Sequence, residues 1–175
     1  MAGPADLTAL AQQFLNACIQ ALDTIPSFVP GLAGAPARSF IAPGPPVFDC
    51  CPQLTVHVAQ INSLPHNVEV GHSASYTMEN IVTLVASSIR CVEALGTDGN
   101  PPTPVLQQQE ASQINADGWA LWNHIYNLVA AGLLFTLCGR VYFDRVQFLT
   151  PQGGCGGVAF QVRAELDGYM ETLSS

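Results

Sequence analysis

The sequence predicts an α+β fold, a mainly antiparallel sheet packed against two helices. Three observations predict it: two segments carry apolar residues at helical spacing, several others alternate or are rich in Val, Ile and Thr, and Pro/Gly-rich breaks separate them. The order is helix, strands, helix, hairpin, not a regular βαβ rhythm, which points to one sheet with helices laid on it. With 175 residues the chain has the length of one domain and can bury a sizeable core, so residues 1–175 read as a single domain.

Each element has its own signal. Leu7, Leu10, Phe14, Cys18, Ala21 and Ile25 fall three and four apart, with Asp6 as N-cap and Pro26 as stop. From Pro26 to Asp49 the chain is rich in Pro and Gly and reads as an extended arm or loop, with a short strand at Arg38–Ala42. Gln53–Ile61 alternates, Leu54, Val56 and Val58 against Thr55, His57 and Ala59, as a half-buried strand does. A turn is expected at Asn62-Ser63-Leu64-Pro65, then a polar loop to about Ser73. Tyr76–Glu93 reads as a long strand, although Ile81, Val85, Ile89 and Val92 also suit a helix face. Thr97–Pro104 is a break. Ile114, Gly118, Leu121, Ile125, Leu128, Val129 and Leu133 then form a stripe predicting a second helix, with Gly139 as its stop. Strands Val141–Leu149 and Val158–Leu166 follow, joined by the glycine-rich segment from Thr150 to Gly157.

Composition bounds the function. Apolar residues make up 49%, which excludes a disordered chain, but charged residues only 10%, against roughly 25% in ordinary soluble domains. The cations are Arg38, Arg90, Arg140, Arg145 and Arg163; lysine is absent. A chain with so few charges either shows many neutral polar groups or hides surface against partners. The net charge of -8 argues against nucleic-acid affinity, which needs clustered cations. No basic stretch precedes an apolar run at the N-terminus, so no signal peptide is expected, and the protein is expected to stay soluble in the cytosol. The longest apolar run, Leu128–Cys138, is short of the ~20 residues a membrane span needs.

The motifs for chemistry fail one by one. Cys50, Cys51 and His57 lie close in sequence, but no C-x-x-C is present, so no metal site is expected and the six cysteines read as thiols in a reducing compartment. Were the strands at Gln53–Ile61 and Tyr76–Glu93 paired antiparallel, Cys91 would fall near Cys50 or Cys51; Cys138 and Cys155 fit a disulfide less well. Gly71-His72-Ser73-Ala74-Ser75 departs from a nucleophile elbow at its last position and precedes a strand. Gly154–Ala159 matches a dinucleotide fingerprint by letter but leads into a strand, leaving no helix N-terminus for a pyrophosphate. A Cys155–His124 nucleophile and base pair has nothing to bring it together; Cys155 reads as a small residue in a glycine turn. The expectation is no catalytic residue, no cofactor and no metal.

Aromatic residues supply the candidate site. Trp119 and Tyr126 lie seven apart beside the apolar stripe of the second helix, where contact with another subunit weighs equally with a wide core face. Trp122 fits the core better, and Gly118 allows close backbone approach. From the arm, Phe40 and Ile41 join Trp119 and Tyr126 as candidate interface residues, because an extended segment can add a strand to a neighbour's sheet.

Three segments together resemble the tail terminator proteins of long-tailed, siphovirus-type bacteriophages of actinobacterial hosts. They are Phe48–Val56 (FDCCPQLTV), Asp117–His124 (DGWALWNH), and Cys138–Asp144 with Gly153-Gly154-Cys155 and Leu166–Tyr169 (LDGY). The resemblance covers roughly residues 1–170, and the lysine-free, Ala- and Pro-rich composition suits GC-rich genomes. It implies a ring-forming subunit of the virion, assembled in the host cytoplasm. Copies, six by family habit, cap the head-proximal end of the tail tube, stop polymerisation of the tube protein and dock the head-completion (stopper) protein. DNA passes through the lumen without specific binding, and no membrane is involved. An acidic lumen would suit that passage. Another neck component, a stopper or head-tail adaptor, stays open as an alternative, as does a small Cys/His metal-binding protein or enzyme.

Overall fold

A computed structural model describes residues 6–26, 28, 33–48, 52–70, 73–93, 100–136 and 138–166, the side chains of 64–79 excepted. It is an α+β fold: two helices on one face of a five-stranded sheet whose strand order is β1-β2-β3-β5-β4. Helix α1 spans Leu7–Asp23, and Asp6 caps it by accepting from the backbone N–H groups of Thr8 (2.9 Å) and Ala9 (3.1 Å). The helix ends at Asp23, three residues before Pro26. Its buried stripe includes Leu10, Phe14, Cys18 and Leu22.

The described part of the Pro/Gly-rich stretch lies along one sheet edge. Within it β1, Arg38–Ile41, pairs in parallel with the start of β2, Gln53–Val70. The Ala42 N–H donates to Val56 O (2.8 Å), and Gln53 Nε2 donates to Val47 O (2.7 Å), pinning the proline-rich residues over β2. This explains one departure from expectation. Leu54 and Val56 face the helices as predicted, but Gln53, Thr55 and His57 on the opposite side are buried too, because the proline-rich segment roofs them.

The second departure is the turn expected at Asn62–Pro65. The ladder instead continues through it, antiparallel to β3, Ser73–Cys91, as far as Val70 opposite Ser73. Among the described residues no strand pairs with the outer side of β2 beyond Val56, so Pro65, which lacks an N–H, can sit at an edge without breaking a ladder bond. The segment from Tyr76 onward is strand; the helix alternative falls.

Helix α2 spans Pro104–Ala130, capped by Thr103 Oγ1 accepting from Leu106 N–H (3.3 Å). It stops well before Gly139: Ala131 is the C-cap, Gly132 takes a left-handed φ of 67°, and Leu133 is 70% exposed and not on the core stripe. Strands β4 (Cys138–Gln152) and β5 (Cys155–Leu166) run longer than expected. Their connection shrinks to Gly153-Gly154, both at positive φ (56° and 77°), the two-residue hairpin turn that only glycine enters freely.

The core lies between the sheet and the helices. Leu54, Val56, Leu84, Val158, Phe160 and Val162 meet Phe14, Leu22, Leu121 and Ile125, all at most 0% exposed. Aromatic rings tie the layers: Phe14 sits 5.7 Å from Phe135 and 6.0 Å from Phe160. Each such side chain contributes about 1.5–3 kcal/mol on burial. No described helix is long and apolar enough to cross a membrane.

Candidate assembly surfaces

Helix α2 divides its residues among three jobs. Leu121 and Ile125 are core. One to three turns toward its N-terminus the same face becomes polar, with Glu110, Gln113 and Asp117 buried. Asp117 holds Arg90 of β3 in a two-pronged pair, Nε to Oδ2 at 2.8 Å and one terminal nitrogen to Oδ1 at 3.0 Å, both side chains at most 2% exposed. Ser88 Oγ donates to Asp117 Oδ2 (2.7 Å), and Arg90 also donates to Gly34 O (2.8 Å). Gln113 Oε1 accepts the Phe28 N–H (3.0 Å) and Glu110 Oε1 the Glu93 N–H (2.7 Å). This network stitches α2 to the end of β3, to Phe28 and to Gly34.

The third job is outward. Trp119 is 67% and Tyr126 54% exposed, on one side of α2 as their spacing implies. Trp122 between them turns inward, 5.5 Å from Phe143 and 5.9 Å from Phe160. Tyr126 leans its ring on Phe143 (5.7 Å), so its exposed part is the outer edge. Trp119, Gly118, Asn115, Val146 and Phe148 enclose an open groove of about 410 Å3 between α2 and the edge strand β4. Gly118 is tight there: a methyl group would meet Val146 Cγ1 at 3.1 Å and Val158 Cγ2 at 3.3 Å, so this glycine serves helix–sheet packing.

Phe40 and Ile41 sit on β1, at the opposite sheet edge from the groove. Phe40 is 37% exposed with the Arg38 guanidinium 5.6 Å from its ring, while Ile41 is half-buried against the core. The four candidate residues therefore form two separate surfaces, one at each edge. Sequence reasoning missed the exposed apolar residues Val47 and Phe148. The second had a signal: Val146 and Phe148 are two apart in a strand and share a face.

The cysteine expectations are corrected. Cys155 is disulfide-bonded, so it is neither a free thiol nor a nucleophile, and Cys91, its register partner on β3, is a free thiol together with Cys18. Cys50, Cys51, Gly71 and His72 lie outside the described residues. Burial pushes the Cys18 thiol far up from its ordinary value. His124 is half-buried on α2 with Nε2 unpartnered. Among the described residues no cluster of three or more His, Cys, Asp or Glu is placed to hold a metal.

No family model matches the chain, and no curated protein is significantly similar to it in sequence. Among solved structures it is similar to a chain from the virion of a native gene transfer agent (GTA) particle. That pair shares 14% identity at a TM-score of 0.34, over 94% of this chain and 100% of the other. A likeness of this size defines no family.

Proposed function

We propose that the chain is a structural subunit of a virion, several copies of which close into a ring, six by family resemblance, on the head-proximal end of a tail tube. There it stops growth of the tube protein and presents a docking face to the head-completion protein, while DNA passes through the lumen. The observation that carries the self-assembly part is the placement of exposed apolar surface at both open edges of one sheet. Trp119 and Phe148 flank β4, and Phe40 and Val47 flank β1. Two different surfaces at opposite ends make a head-to-tail contact, the type that generates rings when its rotation closes. A charged fraction of 10% fits a chain that hides surface in an assembly. The place on the tail rests on the three sequence segments that resemble tail terminators. In this reading the chain has no catalytic role. Electron cryo-microscopy of the particle tests it: a ring of this chain between tube and head is expected, and its absence from that junction would refute the assignment.

A further inference from the structure

The sheet face turned away from the helices has a feature that the aromatic surfaces do not explain. Thr55 and His57 of β2 point to that face and are 1% and 5% exposed, yet Thr55 Oγ1 and His57 Nδ1 have no hydrogen-bond partner. Buried polar atoms left unpaired are costly and rare, and of the two only His57 lines the trough on this face; Thr55 lines a separate pocket beside β1. Beside the proline roof opens a trough of about 350 Å3, with Pro46 and His57 on one side, Arg145 and Gln147 on the other, and Ser87 and Gln161 in its floor.

Register aligns it. His57, Val85, Gln161 and Arg145 are successive partners across β2, β3, β5 and β4. Three strand spacings make that row about 14 Å wide. The bulge in β4 between Phe143 and Arg145 turns Asp144 and Arg145 to the same face. Asp144 is taken, by Arg163 at 2.6 Å and Gln161 at 2.9 Å. Arg145 is exposed, and its guanidinium makes no hydrogen bond or ion pair among the described residues. An unpaired guanidinium on a chain of net charge -8 is complementary to the chain's own acidic surface.

We propose that this trough receives a carboxylate side chain from a second copy of the chain, held by the Arg145 guanidinium with the Gln147 amide beside it and His57 at the far end. The inference rests on the ring reading and names one of its contact surfaces. A guanidinium suits the task because its planar fork binds both oxygens of a carboxylate. The contact joins unlike surfaces of two copies, so it can repeat around a closed ring.

The absence of lysine supplies the test. Arg145→Lys introduces the sole side-chain amine, which zero-length carbodiimide coupling joins to any carboxylate in contact. Assembled protein mixed from isotope-labelled and unlabelled copies separates links between copies from links within one. The expected result is covalent multimers well above the wild-type blank, with residue 145 linked to an Asp or Glu of another copy. Links only within a chain, none above the blank, or links to a different protein of the particle would overturn the inference and leave the ring standing. A chain that never exceeds monomer mass, in solution or on the tube, overturns both. Charge reversal by Arg145→Glu is expected to weaken self-association at least about tenfold at low salt. Unchanged association would count against the site, whether or not a cross-link forms.

Discussion

Arg90 and Asp117 are the residues whose loss the fold should feel most. Both are almost fully covered, and each satisfies the other together with Ser88, Gln113 and Gly34 O. Arg90→Met strands a buried carboxylate and is expected to cost about 3–5 kcal/mol in urea unfolding. Pairing it with Asp117→Leu should recover much of that, because no charge is then left alone. His57 makes a pH prediction. Burial holds its pKa below the ordinary 6.5, so the unfolded chain takes up a proton there more readily than the folded one. The stability tied to a neutral His57 is full above about pH 6.5, falls as pH drops through that value and levels off below the lowered folded pKa. The urea midpoint should therefore fall between about pH 7.5 and about pH 5, and less so in His57→Gln. Neither Arg90 nor Asp117 was marked in the sequence as half of a buried pair, although Asp117 opens one of the segments that carry the resemblance. Arg90 lies near the end of a β-rich run with no motif, and Asp117 interrupts the apolar stripe, so a reading that tracks apolar spacing passes over both. The i, i+4 step from Gln113 to Asp117 to Leu121 was the available signal that a polar group lies on the buried face.

The elements divide into those whose signals were local and those set by neighbours. Helix α1 was legible because its stripe sits in its own residues and its cap and stop, Asp6 and Pro26, lie just beside them. The β2–β3 hairpin was not: Asn62–Pro65 has turn chemistry, and only the open side of β2 lets the strand run through it. The double burial of Gln53, Thr55 and His57 likewise depends on a roof from a different segment. Between β3 and β5 the two backbones come close at Gly157, where an added methyl group would run into Ser88 O and the Ile89 backbone. Gly157→Ala is therefore expected to force the strands apart at the core's edge, destabilising by about 1–3 kcal/mol or more, measurable as a lowered Tm. Gly153→Ala in the hairpin turn meets nothing within 4 Å, so its cost comes from its positive φ alone and should be the smaller of the two.

Across the whole molecule, helices cover one face of the sheet and the proline-rich segment roofs part of the other, which among the described residues leaves the rest of that face and the β4 edge to solvent or partners. The fold class was legible because helix, strands, helix and hairpin appear in that order with clear breaks. The candidate surfaces were half legible. The seven-residue step marked Trp119 and Tyr126, but the groove beside them needs Phe148 from a strand whose place next to α2 only the strand order reveals. The charge scarcity that pointed to hidden surface now has candidate locations to test: an aromatic groove at β4, an apolar strip at β1, and a trough around Arg145. Imaging the particles made when this gene is removed tests the central claim most directly. Overlong tail tubes detached from heads are predicted, and tails of normal length joined to heads would contradict the account.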